Sequence, residues 1–114
     1  MEKQDTIFCD IDGTIFKYRK FGTYEETTPE IIQSTLDYLN REREKGSHII
    51  HTSARPMSLY VHTLKELIRF EIPFDNLLLG IGRGVRYVVN DIDPEKNQER
   101  AKAINLVRDK GFVE

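Results

Sequence analysis

The chain has 114 residues, the size of one domain, and it reads as a single domain over 1–114. Hydrophobic residues make up 39% and charged residues 32%, a normal balance for a soluble domain with a modest packed core. The formal net charge of −2 leaves no basic footprint for nucleic acid or an anionic membrane, and no apolar run approaches the roughly 18 residues of a membrane-spanning helix.

Met1 to Thr6 is polar and lacks the apolar region of a secretory leader, so a cytoplasmic protein is expected. Thr6-Ile7-Phe8-Cys9-Asp10 is a short apolar run ending in an acid and reads as a buried strand. Cys9 is the one cysteine, which excludes an internal disulfide, fits a reducing compartment, and reads as inert core on an apolar strand. Asp12-Gly13-Thr14 follows as a turn. Ile15 to Tyr18 suits a short flap strand, and Arg19 to Thr28 a polar loop with aromatics. A helix is predicted to open at Pro29, with Thr28 as N-cap and Glu30 in the first turn. Ile31, Ile32, Thr35, Leu36 and Leu39 carry its apolar spacing, and Gly46 ends it after the charged Arg41 to Lys45.

His48 to Thr52 is the second predicted strand. Ser53 to Pro56 turns into a second helix with Leu59, Val61, Leu64, Leu67 and Ile68 at helical spacing, closed by Pro73. Asn76 to Leu79 reads as a third strand, Gly80, Gly82 and Gly84 as a loop, and Tyr87 to Asn90 as a fourth strand ending in Asp91. Asn97 to Lys110 reads as a last helix with Ala101, Ile104 and Val107 on one face. The order β-α-β-α-β-β-α calls for an α/β fold: a three-layer, Rossmann-like sandwich whose mostly parallel sheet is covered on both faces.

In an open parallel sheet, ligands bind beyond the carboxyl ends of the strands. The first strand ends in Asp10-Ile11-Asp12-Gly13-Thr14, the second in Thr52-Ser53-Ala54-Arg55, and the fourth in Asn90-Asp91. The third runs into Gly80-Ile81-Gly82-Arg83. Acids, hydroxyls and arginines are thus expected on one edge. Crowded carboxylates with hard oxygen donors suit Mg²⁺. An Asp can attack phosphorus, a second Asp can shuttle the proton, and turn amides with a Thr hydroxyl can hold phosphoryl oxygens. His48, His51 and His62 lack zinc spacing, and Asp93-Pro94 reads as a turn. Gly80-x-Gly82-x-Gly84 follows a strand but precedes another strand, unlike a nucleotide-binding loop.

Asp10-Ile11-Asp12-Gly13-Thr14 resembles the DxDGT signature of haloacid-dehalogenase-like phosphatases, placed straight after the first strand. His51-Thr52-Ser53-Ala54-Arg55-Pro56 resembles their second motif, and Asn90-Asp91 their acidic fourth motif. The resemblance spans residues 6 to 93. It implies an Mg²⁺-dependent phosphatase that hydrolyses a small phosphorylated metabolite, by analogy a sugar phosphate, through an aspartyl-phosphate. Asp10 is then the nucleophile and a metal ligand. Asp12 is the acid/base and offers its main-chain carbonyl to the metal. Gly13, Thr14, Thr52 and Ser53 bind phosphate, and Asp91 with Asn90 completes the metal site.

The family's usual Lys before the fourth strand is missing. Arg83 and Arg86 are the cations available in its place, and Asn90 stands where a second acid is common. Arg55 reads either as a substrate ligand or as half of a structural salt bridge. The span Ile15 to Thr28 allows only a flap and Met57 to Phe74 only a helix and loop, so the core is expected to be capless and open, either accepting large substrates or borrowing a cover from a neighbouring subunit, with Phe16, Tyr18, Phe21 and Tyr24 as candidates for that contact. The alternative function is a catalytically degenerate relative that binds a phosphorylated ligand or a protein partner. A response-regulator receiver ranks last, because its acceptor Asp would end the third strand and Asn76 to Leu79 has none.

Overall fold

The computed structural model describes residues 4–113; the first three residues of the polar N-terminal stretch lie outside them. Strand β1 (Thr6–Asp10), helix α1 (Gln33–Glu44), strand β2 (His48–Thr52), helix α2 (Tyr60–Arg69) and strand β3 (Asn76–Leu78) follow one another in an α/β arrangement. A single 3-10 turn, Met57–Leu59, leads into α2. The three strands form a parallel sheet in the order β1-β2-β3. Ile92–Asp93 (β4) and Gln98–Glu99 (β5) form a separate antiparallel pair. Among the described residues no helix is long and apolar enough to cross a membrane.

Side chains alternate across a strand, and the register sorts them. Ile7 pairs with Ile49, and Cys9 with His51 and then Leu77, on one face. Leu39 of α1 and Leu67 of α2 close over that face in one core with Cys9, Ile49 and Leu77. Two right-handed crossovers moving the same way along a sheet place both helices on the same side. The other face carries Phe8, Ile50 and Leu78, and Phe8 is 63% and Leu78 50% exposed. The expected second covering layer therefore does not form in one chain.

The reason lies in the C-terminal third. Tyr87 to Asn90 pairs with no strand, and the segment from 82 to 92 is exposed throughout. The predicted helix Asn97 to Lys110 is also absent. Asn97 has φ 48° and donates its N–H to the Asp93 carbonyl at 2.7 Å, so the expected first turn is instead a hairpin turn into β5. An amphipathic helix draws its stability from burying a face. Ile104 and Val107, at 60% and 71% exposure, have nothing to pack on.

Three further expectations also differ. The first helix starts at Gln33, not Pro29, because the flap takes the preceding backbone: Lys17 N donates to Glu30 O at 2.8 Å and Ile32 N to Ile15 O at 2.8 Å. The flap itself is reduced to isolated bridges of Phe16 with Asp12 and Ile31. Val61 and Ile68 of α2 face outward, leaving Leu67, and Leu59 of the preceding turn, buried.

The chain returns to the body at residues 108–112. Asp109 N donates to the Gly13 carbonyl at 2.9 Å, and its carboxylate accepts the Tyr18 N–H at 2.6 Å. Phe112 stacks on Tyr38 with centroids 4.6 Å apart. Gly111, at φ 62°, presses on Ser34 and Ile32 at the start of α1, where a Cβ would overlap both. Gly111→Ala is expected to destabilise the fold by about 1–3 kcal/mol, read by urea titration, because strain and overlap add. An unchanged midpoint would mean that this return segment does not contribute to stability.

Candidate active site

The site sits where β1 and β2 end side by side: Asp10 and Thr52 are register partners. The turn after β1 is set by Gly13, at φ 91°, whose N–H donates to Phe16 O at 2.6 Å. The Ile11 carbonyl accepts the N–H groups of Thr14, Ile15 and Phe16, which curls the chain back and fixes Asp10 and Asp12 on adjacent positions. Ile11 and Ile15, both fully buried, anchor the turn in the core.

The Asp10 side chain is 38% exposed; one carboxylate oxygen accepts the Thr14 hydroxyl at 3.4 Å, and the other lies 3.7 Å from an Arg86 nitrogen. Burial pushes its carboxyl above the usual range. Arg86 and the Ile11 amide pull the other way without cancelling that push. Arg86, of the two candidate arginines, is therefore the cation at Asp10. Arg83 stacks on Phe21 with 4.4 Å to the ring centroid.

Asp12 is held differently. Arg55 grips it with two parallel bonds of 2.9 Å, Nε to Oδ2 and Nη2 to Oδ1. Arg55 is fully buried and is tethered by Thr63 Oγ1 at 3.1 Å and Glu66 Oε1 at 2.8 Å. Glu66 also takes two bonds from Arg19, of 3.0 and 2.9 Å. Burial opposes ionisation of Glu66, but the Arg19 and Arg55 bonds together outweigh it and hold its carboxyl below the usual range. Tyr24 lies under both guanidiniums. Arg55 thus serves as the structural half of a salt bridge and as the holder of Asp12.

The structure brings together Asp10, Asp12, Ser53, Arg55, Arg83 and Arg86 around one cleft, with Tyr18, Phe21, Tyr24 and Arg108 on its walls. Ser53 Oγ accepts the Arg55 N–H at 3.0 Å. Asn90 and Asp91 do not line it. Both are exposed, and the Asn90 amide donates to the Arg100 carbonyl at 3.4 Å. Among the described residues no three His, Cys, Asp or Glu side chains cluster as metal ligands. Asp10 and Asp12 are the carboxylates of the cleft, and the Arg55 fork holds Asp12.

Sequence reasoning missed Glu66, Arg19 and Arg108. Glu66 could have been found as a charge on the apolar side of its helix, one residue before Leu67. Arg19 and Arg108 gave no signal, because only the fold carries Arg108 to the cleft and Arg19 to Glu66 behind it.

No protein-family profile matches the chain, and no curated protein matches it. Among solved structures, it is similar to a target protein from Vibrio cholerae, with 20% identity, 82% of this chain and 86% of that chain covered, and a TM-score of 0.59. The likeness is one of fold. Fold and cleft together define a parallel α/β protein with paired carboxylates and an arginine cluster beyond its strand ends.

Proposed function

We propose that the chain is a phosphatase with a haloacid-dehalogenase-like core, acting on a small phosphorylated metabolite through an aspartyl-phosphate on Asp10. The observation that carries this reading is the setting of Asp10: at the end of β1, between the Thr14 hydroxyl and the Arg86 guanidinium, with one side open to solvent. A phosphate ester entering the cleft meets a nucleophile flanked by donors where charge develops. An Asp10 oxygen bonds to phosphorus as the ester P–O bond breaks, and the leaving alkoxide takes a proton. Water then attacks the phosphorus, gives up a proton, and releases inorganic phosphate with the Asp10 carboxylate. Asp12 can serve as that proton carrier only when its Arg55 fork opens. Arg83, Arg86 and Arg108 suit an anionic substrate. Mg²⁺ would add charge neutralisation at the phosphoryl oxygens. The Asp10 carboxylate and the Asp12 main chain would hold it at the end of β1.

The second reading, a degenerate binder of phosphorylated ligands, is favoured by one feature: both Asp12 oxygens are occupied by Arg55. Phosphate release from a panel of esters and sugar phosphates with Mg²⁺ separates the two. Release is expected. Saturable phosphate binding without release from any ester would select the binder.

A further inference from the structure

The sheet is open at β1. Strand order β1-β2-β3 with both helices on one face means that a doubly wound sheet would next grow on the outer side of β1, with its covering helix on the other face. Among the described residues no strand occupies that edge, and Phe8 and Leu78 lie bare on that face. An unpaired edge beside apolar surface is a template for another strand.

The same chain carries the missing parts and holds them away. Val85, Tyr87, Val88 and Val89 are 67% to 92% exposed, and Tyr87-Val88-Val89 is a continuous apolar run of the kind buried on both faces in a parallel sheet. Ile104 and Val107 form the stripe that a covering helix would need. Arg86 at Asp10, and Asp109 at Gly13, fix the two ends of this segment to the body. Between them the chain runs out and back, closed at its tip by the β4–β5 pair, and the molecule extends 52 Å along one axis against 28 Å across.

We infer that residues 84–107 are an exchange arm: two copies pair about a two-fold axis, and Tyr87–Asn90 of each lies parallel to β1 of the other. The occupant is a second copy because the arm fits the open edge of β1 and yet lies unpaired with the β1 of its own chain. A two-fold operation fills both edges at once, leaving no open end to grow a fibre. Gly80, Gly82 and Gly84 provide the hinge. Parallel pairing brings the end of the arm strand, Asn90-Asp91, to the end of the other copy's β1, at Asp10. There the surplus of Arg83, Arg86 and Arg108 over Asp10 and Asp12 meets an incoming carboxylate. The catalytic use of that carboxylate rests on the phosphatase reading; the exchange does not.

Light scattering is expected to give twice the 13.4 kDa chain mass, and Val88→Pro with Val89→Pro, one of which removes the N–H aimed at the neighbouring β1, to shift it to the single mass. A single mass for the parent chain at working concentration overturns the proposal. Thr6→Cys and Tyr87→Cys, on separately tagged copies refolded together and treated with a short bis-maleimide, are expected to yield a linked pair carrying both tags. Cys9 does not compete, because burial and then Asp10 push its thiol up to about 12. A link formed only within one copy of the double cysteine variant means the arm folds back on its own edge, and overturns the exchange even if the chain with Val88→Pro and Val89→Pro fails to fold. Mixed Asp10→Asn and Asp91→Asn copies should recover about a quarter of parental phosphatase activity by random pairing. No recovery in a mixture whose parent turns over would remove Asp91 from the neighbouring site. Absence of parental turnover would count against the phosphatase alone, since the cross-link is read without it.

Discussion

Asp10→Asn is expected to abolish phosphate release, by about 10⁴-fold or more, while leaving the protein folded. An amide cannot form the aspartyl-phosphate, and no second carboxylate stands at the end of β1 with a free oxygen: Asp12 is gripped by Arg55 on both. The substitution should not weaken the fold. Burial raises the Asp10 carboxyl, so its charged form is less favourable folded than unfolded at neutral pH, and removing that charge removes an opposing contribution. The same shift sets the acid limb of the parent's pH profile. Turnover needs the carboxylate and should rise with pH through a value above the usual carboxylate range. Release that survives in Asp10→Asn would move the nucleophile elsewhere and end the proposed mechanism. A melting temperature well below the parent's would make the loss uninterpretable as chemistry, and Asp10→Glu, which keeps the charge but displaces it, would then decide.

Legibility of the fold followed how local its causes are. The strands Thr6–Asp10 and His48–Thr52 were readable because short apolar runs next to turn residues have few other uses. The end of α1 was readable because Gly46, at φ 89°, closes it locally. Its start was not: Thr28 and Pro29 have good capping chemistry, but Lys17 and Ile15 take the backbone groups of Glu30 and Ile32 first. The Tyr87 to Asn90 strand and the helix beyond it failed for a different reason. Their patterns are sound, and what they lack is a surface to pack on, which pattern alone does not supply. In the cleft, the Asp10 and Asp12 pair was legible as a motif, and Arg86 as one of two candidate cations. The Arg55–Glu66–Arg19 chain was not, since its members are joined across residues far apart in sequence.

Glu66→Ala should be the most damaging single change outside the cleft, lowering stability by about 3–5 kcal/mol and the melting temperature by more than about 10 °C. The side chain accepts three bonds from two buried guanidiniums. Truncation leaves Arg19 and Arg55 in place with Asp12 as the one remaining carboxylate of the network, at Arg55. Breaking one member of a buried charge network strands the others, which is worse than never having built it. Glu66→Gln keeps an acceptor and should fall between. The linkage has a definite sign. The folded carboxyl lies below its ordinary value, so the stabilisation is complete above the unfolded value and drains away as pH falls through the folded one. The parent should therefore lose stability on the acid side of the usual carboxylate range more steeply than Glu66→Ala, whose midpoint starts lower and varies less there. Equal acid slopes in both would mean that some other carboxylate controls acid unfolding. A melting temperature for Glu66→Ala within a few degrees of the parent's would mean that water solvates the guanidiniums once the carboxylate is gone. In that case Arg55 would be free to release Asp12, and the variant should retain or gain activity. Loss of stability is the expected outcome, because Glu66 anchors the buried Arg55 that ties α2 to the turn after β1.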